Sequence, residues 1–461
     1  MLAVVWAGCG REEEAPRFPF VLDGPAMITN LEQDNHFTGR DLVVKSIAEY
    51  GAMTIDLPPD FHITAENLHH WMIGWGEERR YHDAGCENLR AIEAIRSGVI
   101  VPGAPLRGEG LPRKGQRVAF WNREPSGFRH VVPKPVIDPA WWPGFAGKSV
   151  HFAPVAFDQA MGRWVMLLNE CDTNTARVYA ATSSDMVHWE PAAEGEPMLH
   201  GADFARCAWA NGGIFQGVER TPYVSDLVQH AGRWHLFLDG FDAVGRRQIG
   251  LAISRSSALG PYEVMPDAII APGLPRTWND SACFYPKVKP YGNGFIMFFD
   301  GLSSEGVERV GMATSKDLLR WDEHPSPVLE HHVGWRGSPA TSEPAHIEVR
   351  GDSILLLVAG RMAFRDGWWE HRVTRQAYRG RSGNVDDAQL GVYLSVDGGR
   401  SFRPHRNNPV FVNDHAHPPE NEHLGGNFSV IDTDSMTFLL YQAKSSQGGW
   451  KYNVMLRGRR K

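Results

Sequence analysis

A chain of 461 residues, 42% of them hydrophobic, is long enough to bury a large core, and its formal net charge of -7 gives no general attraction to phosphate backbones, which excludes nucleic acid as an expected partner. No apolar run reaches the roughly 20 residues that a membrane-spanning helix needs. Aromatic residues make up 11% of the chain, which suits packed β-sheets or a site that stacks flat ligands; composition does not separate the two.

The chain starts with a short apolar stretch, Met1 to Gly8, which ends in Trp6-Ala7-Gly8-Cys9 and is followed by the charged run Arg11 to Glu14. That order resembles the end of a bacterial lipoprotein signal, in which Cys9 is acylated and becomes the first mature residue. The positively charged start of such a signal is missing, so the expectation is that Met1 lies inside a longer precursor; a disordered apolar start is the competing reading. On the lipoprotein reading the protein is lipid-anchored in a bacterial cell envelope, periplasmic or at the cell surface, and residues 1–17 are signal remnant and linker. Cys86, Cys171, Cys207 and Cys283 then face an oxidising compartment, with neither a metal-site spacing nor a legible pairing. Residues 18–110 form an N-terminal extension in which Thr64-Ala65-Glu66-Asn67 opens a predicted helix toward Arg80 and Cys86 to Ser97 reads as a second.

From residue 111 to 461 an internal repeat takes over. One unit runs from Phe152-Ala153-Pro154-Val155 through Gly162-Arg163-Trp164 to Ser183-Ser184-Asp185 and Trp189. The next has Thr221-Pro222-Tyr223-Val224, Gly232-Arg233-Trp234 and Gly250-Leu251-Ala252. A third has Tyr285-Pro286-Lys287-Val288, Gly294-Phe295-Ile296 and Ser315-Lys316-Asp317 with Trp321. The fourth has Glu343-Pro344-Ala345-His346, Ser353-Ile354-Leu355 and Ser395-Val396-Asp397 with Phe402, and a fifth starts at Asn427-Phe428-Ser429. Short apolar runs between Gly, Asp and Ser turns read as four-stranded blades, so the predicted fold is all-β, a five-bladed β-propeller with a small, partly helical N-terminal extension. The Ser-x-Asp turn has a structural role, in which its carboxylate accepts backbone N–H groups while the following aromatic packs between sheets. The fifth unit ends after about three strands, and the upstream stretch from Arg117-Val118-Ala119 through Val132-Pro133-Lys134-Pro135-Val136-Ile137 is expected to supply its missing strand and close the ring.

In a propeller the innermost strand of every blade starts on one face, and the loop between the second and third strands returns to it, so acids at those two places converge although they are distant in sequence. Glu343 heads the fourth innermost strand, where the other units carry Ala153, Thr221, Tyr285 and Asn427; a salt-bridged rim glutamate is the competing reading. Asp280, in Trp278-Asn279-Asp280-Ser281, precedes the third innermost strand, either as a turn residue or as a site acid beside the flat Trp278 surface. Glu170 and Asp172 follow the second strand of the first blade; Asp239 and Asp300 stand at the similar place in the next two, and that repetition favours a turn role for the aspartates. Carboxylates facing one pocket are what glycosidic cleavage requires, one protonated to release the leaving oxygen and another ionised to activate water or attack the sugar. The assignment is Glu343 as acid, Asp280 as base or nucleophile and Glu170 as the third carboxylate, whose charge holds the acid protonated.

The repeat and its acids resemble the five-bladed propeller glycosidases, the clan of arabinanases, β-xylosidases and α-arabinofuranosidases, and more weakly the invertase-like clan. In the first group a Glu-(Gly/Ala)-Pro glutamate heading an innermost strand is the acid, and Glu343-Pro344 is similar with one residue missing. In the second, a Trp-x-Asn-Asp-Pro aspartate is the nucleophile and a Glu-Cys pair holds the acid/base; Trp278-Asn279-Asp280 and Glu170-Cys171 are similar fragments in a different blade order. The Asp-Pro that would supply the base of the first group has only Asp138-Pro139 as a counterpart, which leaves inversion and retention open. The resemblance spans residues 117–461 and implies the architecture more than one activity.

Sugar-binding candidates are Trp278, His151 and Tyr285 at strand heads, with Arg361, Trp368, Trp369 and Arg372 in a long fourth-blade insertion that also holds Arg365, His371, Arg375, Arg379 and Arg381. Tryptophans stack on sugars and arginines grip carboxylate or sulfate, so an acidic glycan is one expected substrate; a solvated loop with arginines paired to surface acids is the other reading. His415, His417, Glu420, Glu422 and His423 precede the fifth innermost strand, and His417 and His423 are the candidate ligands for a structural Ca or other divalent cation near the axis, against a plain solvated loop. No cofactor is required for the chemistry. Two further classes stay open: a non-catalytic glycan-binding surface lipoprotein, and a sialidase-like hydrolase, which needs an arginine triad and a Tyr–Glu pair.

Overall fold

The computed structural model describes residues 42–47, 53–55, 71–75, 80–83, 99–100, 117–122, 129–132, 134–137, 141, 150–170, 177–210, 214–215, 218–219, 222–330, 342–361, 388–404, 423–445 and 451–460. The short apolar runs of each repeat are strands, and the Gly, Asp and Ser positions between them are the turns of an antiparallel meander. The first blade comprises Val150–Asp158, Arg163–Glu170, Arg177–Ser183 and Trp189–Pro191, from the innermost strand outward. The second comprises Tyr223–His230, Arg233–Phe241, Arg247–Ser257 and Gly260–Val264, and the third Ala282–Tyr291, Gly294–Leu302, Glu308–Ser315 and Trp321–Glu323. Ser342–Arg350, Ser353–Arg361, Ala388–Ser395 and Arg403–Pro404 make the fourth.

The fifth blade has His423–Asp432, Met436–Ser445 and Lys451–Arg460 from the end of the chain, and its outer edge is the upstream strand Arg129–His130, paired to Arg457 and Gly458. Val131 and Val136 extend that edge, donating to the carbonyls of Leu456 and Val454. The innermost strands contact one another in sequence, first to second and on to the fifth, and the fifth contacts the first. Five separate apolar cores lie between successive blades, among them Val165, Leu167 and Trp209 against Val224 and Leu236, and Met166 and Leu168 against Leu440 and Leu456 across the closure. The molecule is therefore a closed five-bladed β-propeller. Each fully buried Leu, Val, Met or Phe in these interfaces stabilises it by about 1.5–3 kcal/mol relative to exposure.

The face opposite the strand heads carries the repeated turn. Asp185 Oδ1 accepts the N–H groups of Val187 and His188, and Asp317 Oδ1 accepts those of Leu319 and Arg320. Trp189 and Trp321 fold back to donate their ring N–H to the carbonyls of Met186 and Leu318, both in the left-handed region at φ 70° and 64°. In the fourth blade Asp397 accepts from Ser401 in the same manner, and Gly398 and Gly399 take the positive-φ positions.

Two expectations upstream change. The helix predicted from Thr64 toward Arg80 does not hold over its described residues: Trp71–Trp75 is a strand paired with Arg80–Asp83, because the aromatic and β-branched run Trp-Met-Ile-Gly-Trp favours extended pairing over a helix. Arg117–Asn122 joins the same six-stranded sheet, beside Trp71–Trp75 and Leu42–Ile47, so only the later part of the upstream stretch closes the ring. The second predicted helix, Cys86 to Ser97, lies outside the described residues. Cys207 and Cys283 are free thiols packed in the cores between blades one and two and between two and three.

Candidate active site on the propeller axis

Every innermost strand breaks register with its neighbour at the same level. The irregularities fall between Phe152 and Val155, Val224 and Asp226, Phe284 and Lys287, Pro344 and His346, and Leu424 and Phe428. A bulge leaves ladder groups unpaired and re-aims the side chains around it. Here those side chains line a small cavity on the axis: Ser225, Tyr285, Lys287, Glu343, Pro344, Ala345, Asn427 and Phe428. Tyr285 is held at φ 51°, a conformation that costs a bulky L-residue energy and that the surrounding structure must impose.

Glu343 is the acid in this wall, only 7% exposed and paired in register with Ala359. Behind Tyr285 lies an ion pair. Arg247 Nε donates to Asp239 Oδ1, and the other carboxylate oxygen accepts from Ser225 Oγ at 3.0 Å and from the Tyr285 N–H at 3.2 Å. The guanidinium is boxed by rings, with its carbon 4.4 Å from the centre of Tyr285, 4.5 Å from Phe284 and 4.9 Å from Tyr223. Burial pushes the Asp239 carboxyl up, while Arg247, the Tyr285 N–H and Ser225 act in the opposite sense. Burial pulls the guanidinium down, but the Asp239 charge, Tyr285 and Tyr223 together outweigh it and the group stays cationic. The Tyr285 hydroxyl is pushed up by burial, with Arg247 opposing and Glu343 adding to the rise, so it is a neutral donor at ordinary pH.

Lys287 is the first residue past the third bulge and forms the floor of the cavity. Its Nζ donates to the Ser225 carbonyl at 2.6 Å. Beneath it a second axial cavity is lined by all five innermost strands, with Asp226, Lys287, Lys289 and His346 as its charged and titratable groups. Asp226 is engaged by the N–H groups of Leu227 and Val288, and His346 Nε2 stands 3.2 Å from Glu348 Oε1.

Of the residues singled out from sequence, Glu343 and Tyr285 meet in the axial cavity. Asp280 does not line it. One of its carboxylate oxygens accepts the Ser304 N–H at 2.6 Å; the other accepts the Arg276 N–H at 2.7 Å and Ser304 Oγ at 3.0 Å. Those bonds, the Arg276 N–H first, hold its carboxyl below the usual range, and the residue serves as the clasp between two loops. Trp278 is a packing residue: its ring lies over Gly301 and Gly311, where an added Cβ would overlap it, and tilts against Phe299 at 5.9 Å. Trp209 occupies Gly250 of the second blade in the same way.

Glu170 ends the second strand of the first blade opposite Val150, at the level of the strand heads, and His151 pairs with Asn169 beside it. Arg361 ends the second strand of the fourth blade opposite Ala388, and His423 opens the fifth innermost strand opposite Lys444. Cys9, Asp172, Trp368, Trp369, Arg372 and His417 lie outside the described residues. Among the described residues no group of three His, Cys, Asp or Glu side chains is placed to hold a metal ion.

Asp239 is not the turn residue its repetition suggests but a fully buried stitch from the second blade to the third, as Asn169 is from the first to the second through the Pro222 carbonyl and the Val224 N–H. Sequence reasoning passed over Arg247, Ser225 and Lys287. Lys287 carried a signal: a lysine one residue past a proline in an innermost strand, at the position that Val155 holds in the first blade.

No protein-family model matches the chain, and no curated protein does. Solved structures do. A thermostable family-43 glycoside hydrolase is similar over 68% of this chain and 93% of its own, at 13% identity and a TM-score of 0.49. An endo-arabinase from Bacteroides thetaiotaomicron is similar over 67% and 93%, at 16% identity and a TM-score of 0.46. A Bombyx mori GH32 β-fructofuranosidase is similar over 70% and 63%, at 15% identity and a TM-score of 0.44. The propeller assignment rests on the strand pairing and ring closure of this chain.

Proposed function

We propose that the protein is a glycoside hydrolase acting on a poly- or oligosaccharide at the propeller axis, with Glu343 as a carboxylate that touches the scissile region. The observation that carries this reading is one buried acid in the wall of the axial cavity, placed by a bulge that all five innermost strands share. Cleavage needs a second carboxylate. Glu170 is its best candidate, because its backbone sits at the strand-head level of the first blade, whereas Asp280 is committed to its loop clasp. The arginines between residues 361 and 381 favour an acidic glycan.

The test is a screen of purified protein against plant, algal and bacterial glycans, uronate-bearing and neutral, with Glu343→Gln in parallel. Reducing ends released by the wild type and lost by roughly 10²–10⁴-fold in the variant are the expected result. Glycan binding without release would replace the hydrolase with a lectin-like function.

One observation favours a sialidase-like variant of the chemistry, the meeting of Tyr285 and Glu343 in one cavity. Tyr285→Phe separates the two: it abolishes turnover if the hydroxyl attacks, and spares it if the ring only packs on Arg247. Lipid attachment at Cys9, with location in a bacterial envelope, belongs to the same proposal and is read by labelled-fatty-acid incorporation that Cys9→Ser removes.

A further inference from the structure

The stitches between blades stand at one place in the repeat but differ in chemistry. Asn169 pairs with the strand-head residue His151, and Asp239 pairs with Tyr223 at the same level of the next blade. Asn169 joins its blade to the second with a neutral amide, through the Pro222 carbonyl and the Val224 N–H. Asp239 joins the second blade to the third through the Tyr285 N–H, but it does so as half of a buried ion pair with Arg247. Taking two charges out of water carries a desolvation cost that their attraction repays only in good geometry, so joining two blades gives no reason for the pair.

What the ion pair touches is the wall of the axial cavity. Ser225 and Tyr285 both line it, and the same carboxylate oxygen of Asp239 accepts from the Ser225 hydroxyl and from the Tyr285 N–H. The Ser225 hydroxyl gives its one proton to Asp239 and has only lone pairs left to offer. The guanidinium of Arg247 lies 4.4 Å from the Tyr285 ring and 4.5 Å from its chain neighbour Phe284. Tyr285 requires such a clamp. Among the described residues it is the one non-glycine residue inside a strand whose φ falls in the left-handed region, at 51°; the other such residues stand outside the strands. Strain of this kind persists only where the surrounding structure over-determines it.

We propose that Asp239 and Arg247 are positioning residues for the axial site: Asp239 fixes the Tyr285 backbone and the Ser225 hydroxyl, Arg247 fixes the Tyr285 ring, and together they set the wall that a sugar meets in the cavity shared with Glu343. The assignment deepens the glycosidase reading and rests on it. It separates two tasks of one pair. Joining blades is what an amide does one blade earlier, whereas holding an aromatic ring against a strained backbone uses the flat, stacked cation.

The experiment follows the Tyr285 ring directly and through turnover. Arg247→Lys keeps a cation for Asp239 and gives up the flat face. In NMR spectra of ring-labelled tyrosine, with the Tyr285 signals assigned by their loss in Tyr285→Phe, the wild-type ring should flip slowly enough for its two edges to give separate signals. In Arg247→Lys those signals should merge while the melting temperature and the other tyrosine signals stay near wild type. On a glycan that the wild type cleaves, Arg247→Lys should lower kcat/KM by roughly 10²-fold. In a Tyr285→Gly background, where the left-handed φ costs nothing and no ring is left to hold, the same substitution should lower it little further.

A wild-type Tyr285 ring that flips fast overturns the proposal, and so do Tyr285 signals that Arg247→Lys leaves unchanged or losses in kcat/KM that simply add across the two substitutions. An Arg247→Lys variant that fails to fold overturns it as well, because the pair is then a folding requirement and nothing more. The NMR readout needs no turnover. A clamped ring that Arg247→Lys releases, in a protein that cleaves no glycan, would defeat the glycosidase reading and leave the clamp standing; cleavage with a freely flipping ring would do the reverse.

Discussion

The two faces of the propeller use the same five repeats in opposite ways. On the face away from the strand heads the third-to-fourth-strand turns of the first, third and fourth blades repeat nearly unchanged, with Ser183 and Asp185, Ser315 and Asp317, and Ser395 and Asp397 making the same hydrogen bonds. At the axial bulges the positions are equally regular in backbone but carry Ser225, Tyr285, Ala345 and Asn427, four different chemistries around one cavity. A repeat whose residues recur marks a local folding requirement. Variation around a backbone device that recurs marks the place where the ring was free to build a site.

Substitutions on the two faces should therefore separate activity from stability. The largest effect expected is the loss of turnover in Glu343→Gln with unfolding unchanged; equal turnover in wild type and variant would erase the distinction. Arg247→Met should cost about 3–5 kcal/mol of unfolding free energy in denaturant titration, because it strands the Asp239 carboxylate at 0% exposure without its cation. Gly250→Ala comes next at about 1–3 kcal/mol, since the added Cβ would overlap the Trp209 ring and force the core between the first two blades to shift.

Asp397→Asn tests the opposite face by pH. Partial burial raises that carboxyl, but hydrogen bonds from Ser401, Ser395 and the turn backbone outweigh it and bring it to about 2, below the 3.8 of a free aspartate. A depressed folded-state value means a contribution present above the unfolded value and lost as pH falls through the folded one. The wild type should thus melt higher than Asp397→Asn at neutral pH, and the gap should close between about 4 and 2, with turnover alike at neutral pH throughout. The smallest effect belongs to Asp280→Asn. With its clasp to Arg276 and Ser304 weakened, the loop should become easier to cleave with protease while kcat stays near wild type. A collapse of kcat there would return Asp280 to the reaction.

How much of this was legible beforehand varies residue by residue. The blades were, because alternating apolar runs and Gly-rich turns are local signals, and so was Glu343, as the acid that broke the pattern of strand heads. Asp280 and Trp278 looked like a sugar site because Trp, Asn and Asp adjacent in a chain read alike whether they face a ligand or clasp a loop; only the position of Ser304, Gly301 and Gly311 in space separates the two. Arg247 gave no site signal, since it meets Asp239, eight residues earlier on the adjacent strand, only across a hairpin ladder.

By itself the sequence determined the five-fold repeat, the all-β class and the turn chemistry, because hydrogen bonding within a turn and the period of apolar burial act over a few residues at a time. The tertiary structure alone decided that Asp280 is a clasp and Asp239 a stitch, and that Lys287 lines the same cavity as Glu343. Those outcomes depend on ring closure, which brings strands some sixty residues apart into one wall, and electrostatics follows distance in space and not along the chain.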